Sequence, residues 1–172
     1  QAVDTTKYFL IIVDALGDGV SSSPSNSTRQ HGTAFPLFSI RDMVNSQHQL
    51  LTQKLGITHV HAIMGISMGG VQTFQWAVSY PEFTDCLIPI VGSPQPTSYD
   101  LMLYNTFRED IEADSAFNHG NYTVNPNIVP ANMLWQLSLT TPTQRVKSIS
   151  HDDFAKWMNS TETQKNNDWD DT

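Results

Sequence analysis

The chain has 172 residues, of which 17 are acidic and 9 basic, and it contains a single cysteine. The net charge of −8 provides no basic footprint for nucleic acid, and a lone Cys86 excludes a disulfide framework or a zinc site built on several thiolates. The longest apolar run, residues 8–13, is much shorter than the about 20 residues of a membrane-spanning helix. We therefore expect a cytoplasmic protein with no membrane, nucleic-acid or metal partner.

The first part of the chain predicts a strand, a loop and a helix. Residues 8–13 form a continuous apolar run that is typical of a strand buried on both faces, as in parallel sheets. After a polar loop, Ser39 and Asp42 have the spacing of a capping box, which predicts that a helix begins there. Apolar residues recur at helical spacing up to Leu55, and Gly56 is a typical residue to end the helix.

The pattern then repeats. Residues 60–64 predict a second strand, residues 69–79 a second helix and residues 87–91 a third strand, in which Pro89 predicts a local irregularity. The second helix is expected to face inward through Val71, Phe74, Ala77 and Val78. Strands alternating with helices over short connections predict a parallel sheet with two right-handed crossovers.

The pattern changes after residue 95. Residues 101–111 predict an amphipathic helix, Pro130 can start another, and Ser150 with Asp153 has capping-box spacing before a third. No further strand is evident, and most of the acidic excess falls in this part. We therefore expect two parts, with a sheet-containing core at residues 1–95 and a helical lid or cap segment at residues 96–172.

Residues 65–70 carry the motif that points to chemistry. Gly65, Ser67 and Gly69 fit the pattern G-x-S-x-G, with Gly70 beyond it, between a predicted strand and a predicted helix. That context is typical of a nucleophile elbow, a strained turn that presents a catalytic serine and needs glycines around it. Ser67 is therefore the predicted nucleophile, and the N–H of Met68 is the predicted oxyanion donor. The alternative is a glycine-rich turn around an ordinary serine.

At this point the chain resembles homoserine O-acetyltransferases and related esterases of the α/β-hydrolase fold. The resemblance lies in residues 8–17, 35–42, 55–57, 65–70, 80–81 and 92–93 and in the helix that contains Arg108. It implies a partial α/β-hydrolase fold with three parallel strands, crossover helices and a helical lid. It also implies transfer or hydrolysis of a short acyl group from a small ester or thioester. No bound cofactor is implied, although acetyl-CoA can serve as an acyl-donor substrate.

The resemblance gives Arg108 a role in binding the carboxylate of an amino-acid acceptor. The competing interpretation is a surface arginine paired with Glu112 four residues later. Ile66 is bulkier than the residue that precedes the serine in many such transferases, which makes an esterase that uses water comparably plausible.

Trp135 and Trp157 in the predicted lid could line an acyl pocket or pack the lid on the core. The acidic residues near the end of the chain, Asp168, Asp170 and Asp171, favour a solvated surface over a cation site.

The catalytic triad is incomplete in this sequence. In this fold the acid and the histidine follow the serine, and the only later histidines, His119 and His151, lie in the predicted lid. We therefore expect the acid, the histidine and the second oxyanion donor in core segments that are missing from this chain. Those segments are the expected partner, and a second copy in a homodimer is another candidate. A binding module or fragment without catalysis is the alternative from a different class.

Overall fold

A computed structural model describes the backbone of residues 3–167 and the side chains of residues 3–160, so Asp168, Asp170 and Asp171 lie outside the described residues. The chain forms two compact units. The first comprises the residues up to Asn26 together with Pro36–Gln95, and the second comprises Ser27–Phe35 and the residues from Pro96 onward.

The first unit is built on a parallel pair of strands, which confirms the predicted α/β arrangement. Strands β1 (Val60–Ile66) and β2 (Thr84–Ile90) run in register from Val60 opposite Thr84 to Ile66 opposite Ile90. Helix α2 (Met68–Ser79) and a short 3-10 turn (Pro81–Phe83) connect them. The prediction of an irregularity at Pro89 is wrong, because β2 continues through Pro89, which lies opposite Gly65 in the register.

Residues 8–13 do not form the first of three predicted strands. In the described residues the sheet has two strands, and the run from Tyr8 to Val13 has no strand hydrogen bonding. Ile11 packs against the core and the Tyr8 ring stacks on His61 with centroids 5.3 Å apart, whereas Phe9 and Ile12 are exposed. An apolar run predicts burial but does not specify a backbone partner, and a strand exists only where a partner supplies ladder hydrogen bonds.

The predicted capping box begins helix α1 (Ile40–Gln49) as expected. The Ser39 N–H and hydroxyl both donate to Asp42 Oδ2, at 2.8 and 2.7 Å, and the Asp42 N–H donates back to Ser39 Oγ. These donors hold the pKa of Asp42 below its usual value, because they stabilise the charged form. A π-helical turn (Leu50–Lys54) follows, and the chain leaves it through Gly56 at φ +67°.

The core of the first unit lies between α1, α2 and the sheet. It consists of Val44, Leu51, Trp76 and Phe83. The inward face predicted for α2 is wrong in part, because Val78 is 74% exposed while Gln72, Thr73 and Trp76 are buried. Gln72 and Thr73 tolerate burial because their polar atoms are hydrogen-bonded. Gln47 connects the network by donating to Gln72 Oε1 and accepting from the Trp76 indole N–H at 3.0 Å.

The second unit is helical in its described residues. It contains α3 (Ser98–Glu112), α4 (Val129–Ser138), α5 (Pro142–Ser148) and α6 (Phe154–Asn167). Phe107 of α3 meets Trp135 of α4 with ring centroids 5.5 Å apart, and the Arg145 guanidinium lies 4.8 Å from the Trp157 ring centroid. Both tryptophans thus make packing contacts within this unit. Helix α5 is not predicted by the sequence pattern, because it is short and is specified by Thr141 capping and Pro142.

Two valines in the first unit differ in burial, and this difference predicts different effects for the same substitution. Val44→Ala should lower the free energy of unfolding by about 2 kcal/mol, because Val44 is fully buried in the core. Val78→Ala should change it by less than about 0.5 kcal/mol, since that side chain is exposed. Urea unfolding followed by circular dichroism measures both values. Equal decreases in the free energy of unfolding for the two variants would show that Val78 is buried and that the inward face of α2 is misassigned.

Candidate active site

Ser67 occupies a strained turn between β1 and α2. Its φ and ψ are 54° and −118°, a combination that non-glycine residues rarely adopt and that is kept only where the surroundings enforce it. Its N–H donates to the carbonyl oxygen of Ile90 at 2.9 Å, and its own carbonyl accepts from the Val71 N–H at 3.1 Å. The serine is exposed. The turn therefore presents the Ser67 hydroxyl at the carboxyl edge of the sheet.

The glycines of the motif have unequal roles. A Cβ at Gly65 would lie 2.0 Å from the carbonyl oxygen of Gly69, so no side chain fits there. A Cβ at Gly70 would lie 2.9 Å from the carbonyl oxygen of Ile90 and 3.0 Å from the Cα of Gly92. A Cβ at Gly69 would meet nothing within 4 Å. Two of the three predicted elbow glycines are thus required by close backbone approach, whereas Gly69 is not.

Two further residues support the turn although the sequence pattern does not identify them. Gly92 approaches the first turn of α2 so closely that a Cβ there would lie 2.5 Å from the Gly70 carbonyl carbon. The buried Thr73 hydroxyl donates to the Gly69 carbonyl at 2.9 Å, one turn back along α2. A glycine directly after the predicted strand at residues 87–91 is a signal for the first of these contacts, and a threonine four residues after the motif is a signal for the second.

Met68 is the first residue of α2. Its N–H therefore belongs to the group of helix N-terminal donors that lack an intrahelical acceptor, and it lies at the positive end of the helix dipole. This position suits a donor to a developing oxyanion. The role of Met68 remains a prediction.

The other predicted residues belong to the second unit. Arg108 donates to Asn105 Oδ1 at 2.8 Å and forms ion pairs with Glu109 at 3.3 Å and Glu112 at 3.7 Å. The pairing with Glu112 that the sequence offers as an alternative is therefore present. His119 lies in a 3-10 segment (Ser115–Gly120) with φ 54°, and His151 lies in the turn before α6.

A cluster of titratable groups lies at the opposite end of the two strands, where β1 and β2 begin. His59 Nε2 is 3.0 Å from Asp85 Oδ1, and His61 Nδ1 is 3.2 Å from Asp85 Oδ2. Two hydrogen bonds hold the pKa of Asp85 below its usual value, with the larger effect from His61 and the smaller from His59. Ser67 follows the far end of β1, about 20 Å away along the strand, so this cluster is separate from the elbow. In the described part of the chain, no group of His, Cys, Asp or Glu is arranged to hold a metal ion.

Comparison with known proteins identifies the architecture. A family model described as the alpha/beta hydrolase fold matches residues 1–162. A homoserine O-acetyltransferase of Nautilia profundicola is 39% identical over 140 residues, which cover 78% of this chain and 37% of that protein. A probable esterase of Corynebacterium glutamicum is 38% identical over 125 residues, covering 72% of this chain and 36% of that protein.

Solved structures agree with this assignment. An acetylester hydrolase from Corynebacterium glutamicum matches with a TM-score of 0.81 and 30% identity, over 98% of this chain and 54% of that one. The chain spans about a third of the length of the two curated relatives and about half of this solved chain. Within residues 3–167, no helix is both long and apolar enough to cross a membrane.

The steric difference between the elbow glycines can be tested directly. Gly65→Ala should lower the melting temperature strongly and reduce labelling of Ser67 by a fluorophosphonate probe, because its Cβ would collide with the Gly69 carbonyl. Gly69→Ala is the matched control. It should keep the labelling and raise stability by about 0.5–1 kcal/mol, since alanine is favoured over glycine inside a helix and meets open space here. Similar damage from both variants would refute the steric assignment.

Proposed function

Because the chain belongs to the alpha/beta hydrolase fold family, we propose that it is the elbow-bearing part of a serine enzyme that cleaves short acyl esters. The observation that carries this proposal is the conformation of Ser67, which lies at φ 54° on a strand-to-helix turn where two glycines allow close backbone approach. Acyl chemistry needs a serine hydroxyl next to free N–H donors, and the N-terminus of α2 supplies such donors. The helical second unit is the proposed lid.

The proposed reaction has two steps. Ser67 Oγ bonds to the carbonyl carbon of the ester as its proton passes to a base, and the carbonyl oxygen becomes an oxyanion that accepts from the Met68 N–H. The bond to the leaving alcohol then breaks, the alcohol takes the proton, and the acyl group remains on Ser67. Water or an acceptor alcohol attacks this intermediate in the same way and releases free Ser67. We propose that the base, its acid partner and the second oxyanion donor come from polypeptide outside these 172 residues.

Hydrolysis is the better supported of the two acyl reactions. The guanidinium of Arg108, the proposed carboxylate ligand of a transferase, is held by two carboxylates of its own helix. Ile66, directly before the nucleophile, is apolar and 65% exposed, which favours a simple apolar ester over a charged amino-acid acceptor. The likeness to an acetylester hydrolase supports an acetyl ester as the substrate. Transfer from acetyl-CoA to homoserine is the second candidate, which the similarity to a homoserine O-acetyltransferase favours.

The nucleophile is tested in the full-length protein. A fluorophosphonate should label Ser67, and Ser67→Ala should abolish labelling and reduce hydrolysis of an aryl acetate by at least about 10³-fold. Ser93→Ala is the control, because Ser93 follows β2 on the same unit and its hydroxyl donates to the Gln95 carbonyl at 2.6 Å. It should leave labelling and rate within about twofold. Labelling that persists without Ser67 refutes the proposed nucleophile, and absence of labelling in the unmodified protein favours a binding module.

The acceptor is tested by product analysis. With acetyl-CoA or an aryl acetate and added homoserine, we expect acetate and no O-acetylhomoserine. Arg108→Ala should leave acetate release within about twofold, as should the control Arg41→Ala at an exposed helix position in the first unit. Formation of O-acetylhomoserine would instead establish the transferase. A rise of about 10-fold or more in the KM for homoserine on Arg108→Ala would then assign carboxylate binding to this residue.

A further inference from the structure

Each strand of the first unit is followed directly by a residue in the left-handed region. Ser67 follows β1 with φ 54°, and Val91 follows β2 with φ 53°. A β-branched residue at positive φ is a genuine outlier, because its Cβ substituents crowd the backbone there. Glycine would adopt the same conformation without strain. The position therefore holds a valine where the backbone favours a glycine.

The neighbouring backbone explains how this conformation is enforced. Gly92, the next residue, packs against the first turn of α2 so tightly that a Cβ on it would lie 2.7 Å from Gly70 Cα and 2.8 Å from the Val71 nitrogen. On the other side, the carbonyl of Ile90 is fixed by the Ser67 N–H at 2.9 Å. Val91 is thus held between two contacts with the elbow itself.

The same contacts place Val91 beside the nucleophile. Ile66 and Ile90 lie opposite each other in the parallel register, and Ser67 and Val91 are the next residues on their strands. Neighbouring strands are about 4.8 Å apart, so the two backbones leave the sheet side by side. The Val91 side chain is 87% exposed, and Ile66 and Met68 on either side of Ser67 are 65% and 45% exposed. Exposed apolar side chains therefore flank Ser67 in the chain, and a third, that of Val91, follows the neighbouring strand at the same register position.

We propose that Val91 is a specificity-determining residue that limits the length of the acyl group on Ser67. This inference rests on the function proposed above. Its branched side chain has few rotamers and stands on a backbone fixed on both sides, so it cannot move away from a longer acyl chain. An acetyl group needs no space beyond its methyl, whereas a butyryl group extends two methylenes further. Strain that is maintained beside a reactive group is a recognised sign of a functional position.

The test uses Val91→Gly and Val91→Ala in the full-length protein, with Val78→Ala as the control at an exposed valine on the outer face of α2. For each protein, kcat/KM is measured with aryl acetate and aryl butyrate. We expect both Val91 variants to raise the butyrate-to-acetate ratio by at least about 10-fold, since space for even one further methylene is worth about that much. Val91→Gly should also raise the melting temperature, because glycine relieves the strain.

The outcomes separate this inference from the function on which it rests. A ratio within about twofold of the unmodified protein in both variants, with Ser67 still labelled by a fluorophosphonate, overturns the role of Val91 alone. Failure to label Ser67 in the unmodified protein overturns the proposed function. Val91→Gly keeps the test valid if Val91→Ala folds poorly, because glycine carries no penalty at positive φ.

Discussion

The structure of the candidate site depends on the close approach between the first turn of α2 and the end of β2. Gly70 and Gly92 meet there without side chains, and the Ser67 N–H reaches the Ile90 carbonyl across the same gap. These contacts fix the direction in which the chain leaves each strand. They therefore determine the conformation of Ser67, the start of α2 with its free N–H groups, and the left-handed backbone of Val91.

The sequence was sufficient to predict the elements that depend on local rules. The capping box of Ser39 and Asp42 predicts where α1 begins, because both partners lie within one turn of helix. The motif around Ser67 predicts a strand-to-helix turn, since its glycines are needed by contacts within a few residues. The parallel pairing of β1 and β2 follows from the order of strand, helix and strand.

What the sequence did not predict depends on contacts between distant residues. Residues 8–13 are apolar enough for a buried strand, yet strand formation depends on a backbone partner that no local pattern specifies. The inward face of α2 includes Gln72 and Thr73, whose burial becomes acceptable only when Gln47 and Gly69 supply hydrogen-bond partners. The contact of Gly92 with Gly70 is likewise invisible to a motif search that ends at the elbow.

The position of Trp76 has a consequence for spectroscopy. Its indole is 3% exposed, donates to Gln47 and lies with ring centroids 5.2 Å from Phe83 and 5.5 Å from Tyr80. Such an indole emits fluorescence at shorter wavelength than a hydrated one. Trp135 belongs to the second unit and is partly exposed. Of the four tryptophans in the sequence, Trp76 is the one that belongs to the first unit, so the short-wavelength part of the emission reports on the packing of that unit's core.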